Sequence, residues 1–257
     1  MKLAAFQFKA SENIETNFEK LVSAINLATL ENADFLLTQE CALTGFPPVE
    51  RKNTASIDFG ELSKYETELF ELATKNKLSI ALGTIESANN SNFNTVKISH
   101  KNKSICSYKK RALWGWDCDN FSPGFDEGIF EIENIKIGIR ICYEIRFPEY
   151  FRELFVSSVP ICAISFADVS DNPDFDRYNL ILAHLQTRAV ENCIYIVSAN
   201  SISKNQIAPT AIIDPNGKIL SKAEINKEEL ISFDYKGQDI SFGQKGRIQH
   251  SKELLKL

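Results

Sequence analysis

The stretch GIRICYEIRFPEYFREL, residues 138–154, decides the fold because it joins the end of a strand to the start of a helix around one cysteine. Isoleucine occupies every second position of residues 135–141, the period of a strand that buries one face. Pro148 suits the first turn of a helix, and Glu149 suits the positive end of the helix dipole. The sequence therefore predicts a strand that ends at Cys142, a sharp turn, and a helix that starts at Pro148.

Cys142 follows the strand on the face opposite the isoleucines, which leaves two interpretations. A reduced cysteine packs like a small hydrophobic residue, so Cys142 can be a core filler. A thiol at a strand end beside a sharp turn can instead face a cleft and act as a nucleophile. The rest of the chain has to decide between filler and nucleophile.

The whole chain alternates short apolar runs with longer amphipathic segments, the pattern of sheets covered by helices. Helical spacing of apolar residues predicts helices over residues 14–28, with Ser11 as N-cap, and over 62–73 and 175–189. Strands are predicted at residues 2–8, 34–40, 79–86, 94–100, 105–110, 159–166, 193–200 and 230–235, with a hairpin at 209–220 around an Asn-Gly turn. No linker or low-complexity segment divides the 257 residues, so we expect one domain over 1–257.

Composition and charge exclude several classes of protein. The net charge is −5, and no Lys/Arg cluster offers a surface for nucleic acid or for an anionic membrane. No apolar segment approaches the roughly 18 residues that span a bilayer, and the N-terminal MKLAAFQFKA lacks the pattern of a signal peptide. The six cysteines are scattered without a zinc-like spacing. We expect a reduced, cytoplasmic protein that acts on a small molecule and holds no metal.

A cysteine nucleophile needs a proton acceptor, and histidine is the usual one. The chain has only three histidines: His184 on a predicted helix, His250 near the polar C-terminus, and His100 where a strand meets KNKS. None of them lies at a strand end beside a turn. A Cys-His dyad is therefore disfavoured.

Two other predicted strands end in polar groups. Glu40 closes an apolar run, where a carboxylate is desolvated unless it has a partner or a task. Lys110 ends the run ICSYKK. Because ligand sites of α/β proteins gather at strand ends, Glu40, Lys110 and Cys142 are expected to share a cleft.

Four segments in this order carry a resemblance: LTQECALTGFPP (37–48), YKKRALWGWDCDNFSPG (108–124), GIRICYEIRFPEYFREL (138–154) and RAVENCIYIVSAN (188–200). Together they resemble the carbon-nitrogen hydrolase family, also called the nitrilase superfamily, from the first strand to about residue 220. The resemblance implies a four-layer αββα sandwich that forms a homodimer or larger homo-oligomer. It also implies hydrolysis of non-peptide C-N bonds through Glu, Lys and Cys, without metal or organic cofactor.

The resemblance assigns roles residue by residue. It places the general base at Glu40, the catalytic lysine at Lys110, two residues after Tyr108, and the nucleophile at Cys142. The ammonium of Lys110 and the backbone N-H of Tyr143 would then hold the oxyanion of the tetrahedral intermediate.

This chain departs from the family pattern at two positions. An auxiliary glutamate four residues before the phenylalanine of F-x-P-G is here Asp117, one methylene shorter, so its role stays open. Ala112 stands where the family often has histidine. Nearby, Trp114 and Trp116 are candidates to line a substrate pocket, although aromatic residues also serve packing and interfaces. Arg188 belongs to the R-A-x-E-N motif, where we expect a structural network close to the site.

Tyr143 follows the cysteine, whereas true nitrilases tend to have tryptophan there, so the chain is more similar to the amidase branches, including omega-amidase-like enzymes. The leading hypothesis is hydrolysis of a small linear amide, with Arg146 paired to a substrate carboxylate. The alternatives are an N-carbamoyl amine or amino-acid hydrolase, with the same three residues, and a catalytically silent binding or scaffolding relative.

Overall fold

The computed structural model describes residues 1–99, 105–237 and 239–257. Its α-helices are α1 (Ile14–Leu30), α2 (Phe59–Lys75), α3 (Trp116–Asn120), α4 (Pro148–Val156), α5 (Phe175–Asn192) and α6 (Phe242–Leu255). Its strands are β1 (Lys2–Gln7), β2 (Phe35–Thr38), β3 (Ser79–Ala88), β4 (Ser91–Ser99), β5 (Cys106–Lys109), β6 (Ile129–Ile132), β7 (Ile135–Ile141), β8 (Ile161–Phe166), β9 (Val169–Ser170), β10 (Tyr195–Asn200), β11 (Asn205–Gln206), β12 (Ala211–Ile213), β13 (Ile219–Lys222) and β14 (Glu229–Asp234). Short 3-10 helices cover Thr54–Ser56 and Cys142–Arg146.

Twelve of the described strands form two six-stranded sheets with similar topology, and β9 pairs with β11 in a separate two-stranded sheet. The first sheet has the order β14-β1-β2-β3-β4-β5, and the second has the order β13-β12-β10-β8-β7-β6. In each sheet the central strands are parallel, and antiparallel strands complete both sides. The parallel strands β2 and β7 therefore both end at the carboxyl edge of their own sheet.

The two sheets pack face to face, with helices on their outer faces. A buried cluster between the sheets combines Leu3, Phe35 and Leu37 of the first sheet with isoleucines of β7. A second cluster lies between the first sheet and helices α1 and α2, and a third lies between the second sheet and helices α4 and α5. This arrangement is the predicted αββα sandwich.

The face assignment of β7 follows the sequence prediction. Ile137, Ile139 and Ile141 enter the core between the sheets. Gly138 points to the opposite face, where a Cβ atom would lie 2.6 Å from the side chain of Leu154 in α4. The absence of a side chain at Gly138 thus lets α4 lie directly on the strand that ends at Cys142.

The expected N-cap of the first helix is wrong. Helix α1 starts at Ile14, and the side chain of Asn13 caps it by accepting from the backbone N-H of Thr16 at 2.8 Å. Asparagine and serine cap helices about equally well, so composition did not decide between these positions. Ser11 instead donates its backbone N-H to the side chain of Asn17.

The C-terminal part of the chain contributes more to the fold than its sequence suggests. Strand β14 pairs with β1 and completes an edge of the first sheet, although it follows the entire second sheet in the chain. Helix α6 was not predicted, because its apolar residues show little helical periodicity. His100, placed at the end of a predicted strand, lies outside the described residues.

Among the described residues, none of the helices combines the length and the hydrophobicity that crossing a membrane requires.

Candidate active site

The carboxyl ends of the two sheets meet at one place. The backbone N-H of Glu40, two residues after β2, donates to the carbonyl of Phe166 at the end of β8, at 3.2 Å. The backbone N-H of Ala167 donates in return to Oε2 of Glu40 at 2.8 Å. This reciprocal contact ties the strand end of one sheet to the strand end of the other.

The Glu40 carboxylate is completely buried and held on both oxygens. Its Oε1 accepts from Nζ of Lys110 at 2.8 Å and from the side-chain amide of Asn94 at 2.7 Å. With Ala167 on Oε2, the carboxylate has three donors. The orientation of Glu40 is therefore fixed before a substrate arrives.

Lys110 is equally buried, and its backbone is fixed on both sides. Its N-H donates to the carbonyl of Asn94, and its carbonyl accepts from the N-H of Gly124, both at 2.8 Å. Nζ donates to Oδ2 of Asp117 at 2.7 Å as well as to Glu40. Burial lowers the pKa of Lys110, but Glu40, Cys142 and Asp117 outweigh that effect and raise the pKa well above its ordinary value. Lys110 is thus a fixed cation with two anionic partners.

Asp117 lies at the start of the short helix α3 and is itself buried. Burial raises its pKa, Lys110 opposes that effect, and Glu40 adds to it. Its second oxygen, Oδ1, has no hydrogen-bond partner among the residues that the structure describes. The shorter acidic side chain therefore does reach the lysine.

Cys142 stands between β7 and the 3-10 helix with φ +44°, in the left-handed region that non-glycine residues rarely adopt. Its side chain is partly exposed and contacts both the core between the sheets and the core under α4 and α5. Burial raises the pKa of the Cys142 thiol well above its usual range, and the charge of Glu40 raises it further, whereas Lys110 lowers it. The resting sulfur is therefore a neutral thiol that needs a base to remove its proton.

Glu144 is a buried carboxylate that sequence reasoning missed. It accepts from the backbone N-H of Ile141 at 2.7 Å, from the hydroxyl of Tyr108 at 2.8 Å and from the backbone N-H of Arg111 at 2.7 Å. It thus joins the residue before the cysteine to the residue after Lys110. Its signal in the sequence is an acidic residue between apolar neighbours, where a buried charge requires partners.

Asn94 was also not singled out by the sequence. It belongs to no motif and is the first residue of the predicted strand 94–100, yet its side chain orients Glu40 and its carbonyl anchors Lys110. Only the approach of β2, β4 and β5 in space reveals this double contact.

Arg188 stabilises the turn that follows the cysteine. Its guanidinium donates to the carbonyl of Ile145 at 3.2 Å and to the carbonyl of Arg146 at 3.3 Å, and it pairs with Glu191 at 2.8 Å. The structure thus places the R-A-x-E-N motif in a network beside the site.

The remaining predicted residues surround the site less closely. Nη1 of Arg146 lies 3.3 Å from Nε2 of His184 on α5. Trp114 and Trp116 flank Gly115 with 73% and 62% of their surfaces exposed, so neither ring is enclosed by a pocket wall in this chain. Within the described ranges no group of three or more His, Cys, Asp or Glu side chains is arranged to hold a metal ion.

Comparison with known proteins agrees with this geometry. The profile of the family named carbon-nitrogen hydrolase matches residues 2–241, well beyond the four segments that carried the resemblance. The chain is similar to the 2-oxoglutaramate amidase of Bacillus subtilis, with 29% identity over 209 residues that cover 78% of this chain and 77% of that enzyme. It is 26% identical over 255 residues to the deaminated glutathione amidase of Dictyostelium discoideum, covering 89% of this chain and 85% of the relative.

Solved structures show the same fold. An amidase from Nesterenkonia sp. superimposes with a TM-score of 0.80 at 20% identity, covering 91% of this chain and 90% of that one. A variant of the Nesterenkonia sp. AN1 amidase, which carries the acetamide moiety of fluoroacetamide on its active-site cysteine, superimposes with a TM-score of 0.84 at 18% identity. That superposition covers 100% of this chain and 95% of the variant.

Proposed function

The chain belongs to the carbon-nitrogen hydrolase family, and on this premise we propose that it is an amidase that hydrolyses a small linear amide carrying a carboxylate. The observation that carries the proposal is the buried contact of Glu40 with Lys110 beside a partly exposed, neutral thiol. This arrangement combines a base, a fixed cation and a nucleophile at one meeting point of two sheets.

Glu40 is proposed as the base in both halves of the reaction. The sulfur of Cys142 attacks the amide carbon while its proton passes to Glu40, and the resulting oxyanion is held by Lys110 and the backbone N-H of Tyr143. The C-N bond then breaks, and Glu40 returns the proton to the departing ammonia, which leaves a thioester. A water that loses a proton to Glu40 attacks this thioester, and the thiol is restored as the carboxylic acid leaves.

Two features of the site support these roles. The raised pKa of Cys142 favours a protonated thiol at rest, which supports transfer of its proton to a base during attack. Lys110 stays charged between Glu40 and Asp117 and therefore suits stabilisation of negative charge rather than proton uptake. We assign Asp117 an auxiliary role, in which it holds Nζ of Lys110 together with Glu40.

Arg146 is proposed to bind the substrate carboxylate. No carboxylate of residues 1–99, 105–237 or 239–257 lies within ion-pair distance of its guanidinium, whereas the buried Arg140 and Arg188 both have acidic partners. A partly exposed arginine without an acidic partner suits a carboxylate ligand. The name of the Bacillus subtilis relative, 2-oxoglutaramate amidase, describes a substrate of this kind. Trp114 and Trp116 are proposed to line the substrate pocket.

The assembly and the compartment are also proposals. We propose a homodimer or larger homo-oligomer, because large apolar side chains are exposed to solvent. Examples are Phe125 and Phe242, and 94% of the surface of Phe242 is exposed. A mass of 29.0 kDa by light scattering, that of one chain, would contradict this proposal. We propose a reducing, cytoplasmic location, because Cys41, Cys118, Cys142 and Cys162 form no disulfide bond among the residues that the structure describes.

The test of the function is ammonia release from a panel of amides with and without a carboxylate. We expect turnover that Cys142→Ala abolishes without loss of fold, and mass spectrometry of briefly reacted enzyme should detect an acyl group on Cys142. Arg146→Ala should reduce turnover of glutaramate far more than that of valeramide, which has a methyl group in place of the carboxylate. Release of carbon dioxide together with ammonia from an N-carbamoyl amine or amino acid, without turnover of the amides, would indicate an N-carbamoyl hydrolase instead. No turnover of any amide, carbamoyl compound or nitrile would indicate a silent relative.

A further inference from the structure

The backbone of Arg146 is fixed, so its guanidinium is placed by the side chain alone. Arg188 holds the carbonyls of Ile145 and Arg146 at the end of the 3-10 helix that starts with the nucleophile. What remains free is the rotation of the Arg146 side chain. When a ligand has to order a flexible arginine, the loss of side-chain conformational entropy weakens binding.

Among the residues that the structure describes, one side chain is a hydrogen-bond partner of the Arg146 guanidinium. Nε2 of His184, on α5, lies 3.3 Å from Nη1. Because a guanidinium has only donors, this contact requires an unprotonated Nε2 that accepts the hydrogen bond, with the ring proton on Nδ1. Protonation of His184 would place two cations in contact and remove the acceptor.

The Asp168 carboxylate is a charged neighbour of both the Arg146 guanidinium and the Cys142 thiol. The carboxylate of Asp168, which pairs with Arg177, is close enough to both Arg146 and Cys142 for its charge to affect them. The charged neighbours of His184 are Arg146 on the 3-10 helix and Arg188 on α5. Burial and these two cations lower the pKa of His184, so it is neutral at neutral pH.

We infer that His184 is a positioning residue that holds the guanidinium of Arg146 ready for the carboxylate of the amide substrate. This inference rests on the proposed function, because it assigns a partner to the arginine that the substrate is proposed to contact. His184 itself touches neither the reacting atoms nor, by this inference, the substrate. Its role is specificity rather than chemistry.

The experiment compares His184→Leu, which removes the acceptor, with His184→Gln, whose amide oxygen can replace it. The measured quantity is the ratio of kcat/KM for glutaramate to kcat/KM for valeramide. We expect His184→Leu to lower this ratio about tenfold through KM for glutaramate, and His184→Gln to restore most of it. His250→Leu is the matched control, since His250 is exposed on α6 and contacts Glu253.

A pH profile supplies a readout that a purely structural role would not move. Between about pH 5.5 and 8 glutaramate stays ionised, so only the protein can change the ratio. For the native enzyme we expect the ratio to fall on the acid side as His184 takes up a proton. With His184→Gln the ratio should be independent of pH in this range.

The two possible failures are distinguishable. If Arg146→Ala lowers the ratio and His184→Leu leaves it unchanged, the role of His184 is overturned while the proposed function stands. An equal loss on both amides with His184→Leu would also overturn it, because the residue would then act on the fold or on the chemistry. If no amide is hydrolysed by the native protein, the proposed function fails and this inference fails with it.

Discussion

At the scale of single residues, Cys142 is placed for reaction but is not ionised. Its left-handed backbone turns the residue out of β7, and the neighbouring turn leaves the side chain partly exposed. At the same time, burial and Glu40 keep the proton on sulfur, against the effect of Lys110. By the proposed mechanism, the reaction of Cys142 is coupled to proton transfer to Glu40 and does not depend on a resting thiolate.

This coupling predicts the pH dependence of alkylation. Because the pKa of the Cys142 thiol is raised, the rate of its reaction with iodoacetamide should still increase at pH values at which an ordinary thiol is already fully ionised. Glu40→Gln removes a negative charge that raises this pKa, so the midpoint should move to lower pH. Amidase activity should fall by roughly 10²–10⁴-fold in the same variant, the usual contribution of a general base.

Mass spectrometry of the Cys142 peptide provides the measurement, since it separates this thiol from the exposed Cys106 and Cys118. An alkylation rate that is already constant at neutral pH would show a resting thiolate and contradict the assigned order of events. A midpoint that moves upward in Glu40→Gln would contradict the stated electrostatics.

At the scale of elements, the turn after β7 is joined to β5 by Glu144. Its carboxylate satisfies the N-H groups of Ile141 and Arg111 and the hydroxyl of Tyr108. Glu144→Ala leaves these buried donors unpaired, so we expect a loss of about 2–4 kcal/mol in the free energy of unfolding. Urea unfolding measures this loss. Glu68→Ala, at an exposed position in the interior of α2, should stay within about 0.5 kcal/mol of the native protein.

Substitution of glycine by alanine should have opposite effects on stability at Gly138, which packs against α4, and at Gly246, which does not. Gly138→Ala places a Cβ 2.6 Å from Leu154, and we expect about 1–3 kcal/mol of destabilisation as the helix is displaced. Gly246→Ala, inside α6, meets no heavy atom within 4 Å and should stabilise the protein by roughly 0.5–1 kcal/mol. Thermal unfolding of both variants checks the signs. Equal effects at the two positions would show that contact with α4 does not decide the outcome.

At the scale of the whole molecule, the sequence predictions agree with the structure for elements whose pattern lies within a single segment of the chain. The period of two at residues 135–141 predicted both β7 and its buried face, and helical spacing predicted α5. The pairing of β14 with β1 could not be predicted, because no local pattern reports which distant strand completes an edge. Glu40 and Lys110 were found from strand ends and the resemblance. Asn94 and Glu144 were missed because their contacts join segments far apart in the chain.

The path of the chain between the sheets determines how the molecule should unfold. Strand β14 belongs to the first sheet but follows the second, and the central core takes side chains from both sheets. Neither half therefore has a complete sheet and a complete core of its own. We expect a single cooperative unfolding transition, since loss of one sheet exposes the inner face of the other.

Two buried cysteines report separately on the two outer layers. Cys41 lies in the core under α1 and α2, and Cys162 lies in the core under α4 and α5. Pulsed thiol labelling along a urea series should show both becoming reactive at the same denaturant concentration, together with the loss of far-ultraviolet circular dichroism. Labelling of Cys41 at a clearly lower concentration than Cys162, or the reverse, would mean that one layer opens alone. The proposed catalytic groups, which come from both sheets, would then separate before the protein unfolds, and activity should be lost at the earlier transition.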